Sequence, residues 1–125
     1  STRISEFKFV TYNSQNVYNI QTYRTDGDVE PYVAWLGALP DRQAKARIVV
    51  RVNRMAGGNL GDVKPVGDGV WEARIDYGPG YRLYYAQAGR RLILLLIGGD
   101  KRTQQSDITK AQDHWNNWQM QRKSK

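Results

Sequence analysis

The chain has 125 residues, no cysteine and a formal net charge of +7. That length suits one domain, able to bury roughly two thirds of its unfolded surface, and the missing cysteines exclude disulfides, cysteine–zinc sites and thiol catalysis. No apolar run approaches the ~18 residues needed to span a membrane and no signal-peptide hydrophobic segment opens the chain, so a cytoplasmic protein with no membrane attachment is expected.

Residues 1–16 alternate weakly through Ile4, Phe7 and Phe9 and end in turn-formers, which suggests an extension or an added edge strand. The domain proper is read as 17–121. "VYNIQTY" (17–23) alternates and is rich in β-formers, so it reads as a strand. Asp-Gly in "RTDGDVEP" marks a loop. Asp28 is then expected to cap a short helix with Pro31 in its first turn and Trp35, Leu36 and Leu39 on its apolar side. Asp41 follows Pro40 as the N-cap of a second helix, and Gly57-Gly58 stops it. In that helix Ala44, Ile48, Val52 and Met55, with Val49 beside them, form an apolar stripe at helical period. Arg47, Arg51 and Arg54 form a second, basic stripe.

From Gly61 the period becomes two. "GDVKPVGDG" reads as an irregular strand that Pro65 keeps at an edge. "VWEARIDY" alternates Trp71, Ala73, Ile75 and Tyr77 against Glu72, Arg74 and Asp76. Gly78-Pro79-Gly80 turns the chain into "YRLYYAQ". "RLILLLIGG" is apolar at every position from 92 to 97, so it reads as a central strand covered on both faces. Ile108, Ala111, Trp115 and Trp118 then fall at helical spacing, and 122–125 reads as a basic tail. The order β-α-α-β-β-β-β-α predicts an α+β domain: an N-terminal strand, a helical hairpin, a mostly antiparallel sheet of four to five strands and a C-terminal helix.

Positive charge belongs to the middle of the chain. Residues 41–102 carry twelve basic and six acidic residues, whereas residues 1–40 carry three and four. A field of this kind attracts phosphates and polyanions. Across the Gly-Pro-Gly hairpin, Glu72, Arg74 and Asp76 share an expected open face with Arg82 and Tyr84. That pattern fits a cross-strand salt-bridge ladder on a solvated face. It fits equally an anion site, with Lys64, Lys101 and Arg102 converging and Tyr81, Tyr84 or Tyr85 offering a ring or a phenol, as single-stranded RNA would require. The stripe Arg47, Arg51, Arg54 reads by itself as a solvated helix face. No metal spacing and no phosphate loop are found, and the single histidine, His114, lies on the last helix beside Trp115. No cofactor is expected.

The pieces "ARI", "GNLGDVKPVGDGVWE.RIDYGPGYR.YY" and "LL.GGDK..Q..DI..A", in that order, resemble the phage-derived addiction-module killer proteins of the RelE/HigB/ParE toxin superfamily; the resemblance runs from Val17 to Trp115. It implies a RelE-like, microbial-ribonuclease-like domain. It further implies a metal-independent toxin that cleaves ribosome-bound mRNA and is neutralised by a cognate antitoxin, helix-turn-helix or acidic. The reaction implied is attack of a 2′-OH on the adjacent phosphate, giving a 2′,3′-cyclic phosphate and a 5′-OH. Arg82, the arginine of "GYR", and Arg74 would carry the phosphorane charge and Lys101 would assist the leaving oxygen. Lys64 and Arg102, with the stripe Arg47, Arg51, Arg54, would hold flanking RNA. Tyr84 and Gln104 would support the site, and Glu72 would act as base or as salt-bridge anchor. The chain departs from relatives that place a His or Tyr near its "QQSDI", where Ile108 stands. This leaves open a non-catalytic binding toxin, such as the gyrase-directed ParE branch, or an inactive RNA-binding relative.

Overall fold

The computed structural model describes residues 16–123, so the expected extension over 1–15 lies outside the described residues. The elements follow the order read from the sequence. A strand β1 (Asn19–Thr22) leads to helices α1 (Pro31–Ala38) and α2 (Arg42–Ala56). Four strands follow: β2 (Val63–Gly67), β3 (Val70–Ile75), β4 (Tyr81–Ala88) and β5 (Leu92–Asp100). A 3-10 turn (Lys101–Thr103) then opens into α3 (Gln104–Lys123). The strands form one mixed sheet ordered β1-β5-β4-β3-β2, antiparallel except where β1 runs parallel to β5. This is the expected α+β architecture, consistent with a RelE-like domain.

Local chemistry accounts for most boundaries. Asp41 caps α2 by accepting from the backbone N–H groups of Gln43 and Ala44. Gly58, at φ 99°, carries the chain out of the same helix. The start of α1 differs from expectation: its N-cap is Glu30, with Pro31 opening the helix, while Asp28 sits in the preceding turn at φ 69° and pairs with Arg24. Asp28 is taken by the turn because a short Asx side chain tolerates the left-handed region. At the other end α3 continues through Lys123, so Arg122 is helical and lies over the Trp118 ring rather than in a tail.

Each face of the sheet buries a separate apolar cluster. The α1–α2 hairpin packs Tyr32, Ala44, Ile48 and Met55 onto Ala73, Ile75, Leu83, Tyr85, Ile93 and Leu95. On the other face α3 packs Ala111 and Trp118 onto Val70, Tyr84, Ala86, Leu94 and Leu96. β5 can serve both clusters because it is apolar on both sides and central. Its pairing slips once: Tyr84 faces Ile97 and Tyr85 faces Leu95, which leaves Leu96 as the extra residue of a bulge. Beyond the bulge Gly98 lies under Trp35 on the hairpin face and Gly99 under Asp107 on the α3 face. A Cβ at Gly98 would stand 2.2 Å from the Trp35 ring and one at Gly99 1.8 Å from the Asp107 carboxylate, so both glycines are sterically required.

Candidate functional site

The Gly-Pro-Gly turn sets the β3–β4 register so that Arg74 stands directly opposite Arg82, and Glu72 opposite Tyr84. Directly opposed residues share a face, and this is the face that α3 covers. The expected open face is therefore only partly open. Sheet alternation marks it as polar, but the first turns of α3 close over it, burying Glu72 and Tyr84 completely. Tyr81 and Tyr85 are buried as well, toward the helical hairpin, so none of the three tyrosines offers a stacking surface.

Glu72 is the hub of the row. Its carboxylate accepts from Arg74 Nε at 3.1 Å, from the Tyr84 hydroxyl at 3.0 Å and from Gln104 Nε2 at 2.8 Å. Arg82 Nη1 stands 4.0 Å from the same carboxylate. Burial pushes the Glu72 carboxyl up, but the bonds from Gln104, Arg74 and Tyr84 and the charge of Arg82 together hold it below the usual range. Such a group is a poor proton acceptor at neutral pH, and its geometry is that of an anchor for the two arginines. Burial, and then the Glu72 charge, raise the Tyr84 phenol, so it stays a hydrogen-bond donor. Asp76, expected to share the compensating role, takes part in no ion pair among the described residues.

Arg82 is the unusual member. Its side chain is only 11% exposed, and among the described residues its Nε and Nη1 are the buried side-chain nitrogens without a hydrogen-bond partner. Desolvated donors of a charged group are costly when left unpaired. Arg82 borders a cleft of about 240 Å³ lined also by Arg74, Ile75, Gly80 and Tyr81 and by two acids, Asp62 and Asp76. Two guanidiniums on neighbouring strands at the rim of one cleft match the oxygens of a phosphate.

The remaining expected residues fall into distinct positions. Lys64 lies opposite Glu72 on the edge strand β2 and is exposed. Lys101 is exposed just beyond β5, with its Cβ close to Gly80 at the cleft. Arg102 points instead to Asp100, which it contacts at 2.9 Å and whose carboxyl it holds below the usual range. Of the two basic residues after β5, Lys101 is thus the one without a carboxylate partner among the described residues. The α2 stripe does not act as a unit. Arg51 donates to the carbonyls of Leu60, Asp62 and Arg74 at 3.0, 2.7 and 2.6 Å, so it clasps the α2–β2 loop to β3. Arg47 lies over the Tyr77 ring at 4.5 Å, and Arg54 is exposed. These three border a groove of about 510 Å³, which meets the cleft at Ile75 and Asp76.

Two features escaped the sequence reading. Asp107 is buried in the first turn of α3 over Gly99, which lies opposite Arg82. Burial raises its carboxyl, with Asp100 adding to the rise, while the Thr103 hydroxyl and Lys110 oppose it. An acid in a first helical turn reads as an ordinary complement to the helix dipole; the paired glycines ahead of it were the available signal. The second is the Arg51 clasp, whose acceptors are backbone groups that no residue pattern reveals. His114 stacks on Tyr23 at 4.7 Å, and burial lowers its pKa. It packs on the β1 side of α3, away from the two arginines. Among the described residues no group of histidines and acids has a metal-holding arrangement, and no helix is long and apolar enough to cross a membrane.

Residues 34–116 match the family described as phage derived protein Gp49-like (DUF891). The chain is also similar to an uncharacterized protein of Haemophilus influenzae (strain ATCC 51907 / DSM 11121 / KW20 / Rd), at 49% identity over 78 residues, covering 62% of this chain and 79% of that protein. The matched span holds Lys64, Glu72, Arg74, Arg82, Tyr84, Lys101 and Gln104. A phage-derived family of this kind is consistent with the toxin of a toxin–antitoxin pair.

Proposed function

The chain belongs to the phage-derived Gp49-like family, and on that premise we propose that it is a type II toxin acting as a metal-independent endoribonuclease on ribosome-bound mRNA. The observation that carries this reading is Arg82: a nearly buried guanidinium whose Nε and Nη1 have no hydrogen-bond partner, set at a cleft beside Arg74. An anion in the cleft would lie beside the Arg82 and Arg74 guanidiniums and add to the negative charge that Glu72 supplies 4.0 Å from Arg82 Nη1.

In the proposed reaction the 2′-oxygen of one nucleotide bonds to the adjacent phosphorus and the bond to the 5′-oxygen breaks. The products are a 2′,3′-cyclic phosphate and a 5′-OH. The 2′ proton leaves to solvent, and the departing 5′-oxygen takes a proton from Lys101 or from water. Arg82 and Arg74 hold the phosphorane oxygens as their charge grows, and Glu72 fixes the arginines. Preorganised donors of this kind typically contribute about 3–4 kcal/mol each. Rate enhancement would come from charge stabilisation and from substrate geometry set by the ribosome, since Glu72 and Tyr84 are tuned away from proton exchange at neutral pH. Lys64 would hold a flanking phosphate. A cognate antitoxin, helix-turn-helix or acidic, would be the partner in the resting state.

The test is to map 5′-OH mRNA ends in cells after induction, for the wild type and Arg82→Ala. New cuts in translated messages that disappear in the variant are expected. Growth arrest with intact transcripts would sink the nuclease and turn attention to a binding target such as gyrase.

A further inference from the structure

At the far end of the α3 face, the last two turns of α3 and the β4–β5 turn enclose a recess of about 570 Å³. Trp115 and Trp118 form part of its wall, stacked on each other at 5.4 Å with 15° between planes. The Arg122 guanidinium lies over Trp118 at 4.8 Å. Three carboxamides, from Gln21, Gln87 and Gln119, border the same space, and all three residues are exposed, with Gln87 Nε2 donating to the Gly89 and Arg90 carbonyls. No acid lines it. Arg90 and Arg91 are exposed in the adjoining turn.

We propose that this recess binds an unpaired nucleobase of single-stranded RNA. The volume lies within the range of small-ligand sites. The stacked, nearly parallel indoles form an aromatic wall whose stack a base can extend, and an arginine plane on an indole occupies the kind of position a flat base takes. Carboxamides carry a donor and an acceptor side by side, which matches the edge of a base. Arg90, Arg91 and Arg122 supply cations for the attached phosphates. Arg82 and Ala88 are six residues apart on β4, so the recess stands about 20 Å from the Arg82 cleft along the sheet. An RNA segment engaging both must therefore extend several nucleotides beyond the scissile pair. The inference rests on the reading of the protein as one that acts on RNA, but it needs no cleavage.

The experiment is a titration of the full chain with adenosine 5′-monophosphate, followed by amide and indole N–H NMR shifts, with ribose 5-phosphate as control. The nucleotide is expected to move the Trp115 and Trp118 indole signals and the Gln119 carboxamide, and ribose 5-phosphate is expected to leave them in place. Gln119→Ala combined with Arg122→Ala, both exposed and compatible with the fold, is expected to weaken that binding about tenfold. Shifts confined to the surroundings of Arg82, or equal shifts with ribose 5-phosphate, would overturn the proposal. Absence of mRNA cuts in induced cells bears on the nuclease alone; recess signals that stay still in a protein that does cut mRNA overturn this inference alone.

Discussion

Arg51 and Arg82 are the same side chain in two regions of one small molecule, the first partly and the second almost wholly removed from water, and they are placed to opposite ends. At the seam between α2 and β3, Arg51 meets three backbone carbonyls and every contact it makes is internal. In the β3–β4 row, Arg82 meets one carboxylate at ion-pair distance and keeps Nε and Nη1 without a hydrogen bond. A buried guanidinium surrounded by acceptors holds a fold together. One short of acceptors is, on the proposed reading, preorganised for an anion from outside, and the arrival of that anion would offset the cost of its desolvation.

The comparison breaks if the two arginines respond alike to truncation. Arg82→Ala is expected to lower RNA cleavage on translating ribosomes about 100- to 1000-fold, measured as cleaved message per ribosome, with urea unfolding nearly unchanged. Arg51→Ala should do the reverse in the first instance. Losing three charge-assisted bonds to part-buried or exposed carbonyls is expected to cost about 3 kcal/mol of unfolding free energy, read from the urea midpoint. Arg51→Lys is expected to recover only part of this, because one ammonium lacks the fork that reaches Leu60, Asp62 and Arg74 together.

A smaller effect sharpens the role of Glu72. Its carboxyl lies below the ordinary range in the folded chain. Its contribution to stability is therefore present above the unfolded value of about 4.3 and lost as pH falls through the folded value. Glu72→Gln is expected to flatten this acid-side loss while costing about 1.5 kcal/mol at pH 7. Asp107 runs the other way. Its folded carboxyl is raised, so it withdraws stability as pH rises from the ordinary carboxylate value through the folded one, and Asp107→Asn is expected to remove that decline. Thermal melts of the two variants across pH 3–7 would separate the opposed slopes. The smallest expected change is Arg47→Ala, about 0.5–1 kcal/mol for an exposed cation on the Tyr77 ring, read as a shift in the melting temperature.

Element order and the α2 cap were legible because alternation, helical period, Asp41 and the paired glycines are local signals. So was the opposition of Arg74 and Arg82, once Gly-Pro-Gly fixed the turn. What lies over a sheet face is not local. Period two marked Glu72 and Tyr84 as sharing the polar face, but α3 arrives from far downstream, its Gln104 thirty-two residues past Glu72, and buries both. The same limit made Arg51 look like one of three equal arginines, since its partners are carbonyls of Leu60, Asp62 and Arg74 that every sequence possesses. Asp28 was misassigned for a related reason: an Asx residue before a helix signals a cap and a turn alike, and here the turn took it.

The bulge at Leu96 in β5 has a consequence for how this chain tolerates change over time. Before it, the sheet reads in one phase; after it, the phase is inverted, and that inversion aims Gly98 at Trp35 and Gly99 at Asp107. A one-residue deletion between Leu94 and Gly98 would act on side chains as a frameshift acts on codons, sending every later position of β5 to the wrong layer. Relatives that retain the glycine pair are thus expected to hold the length of this strand more strictly than the identity of its leucines.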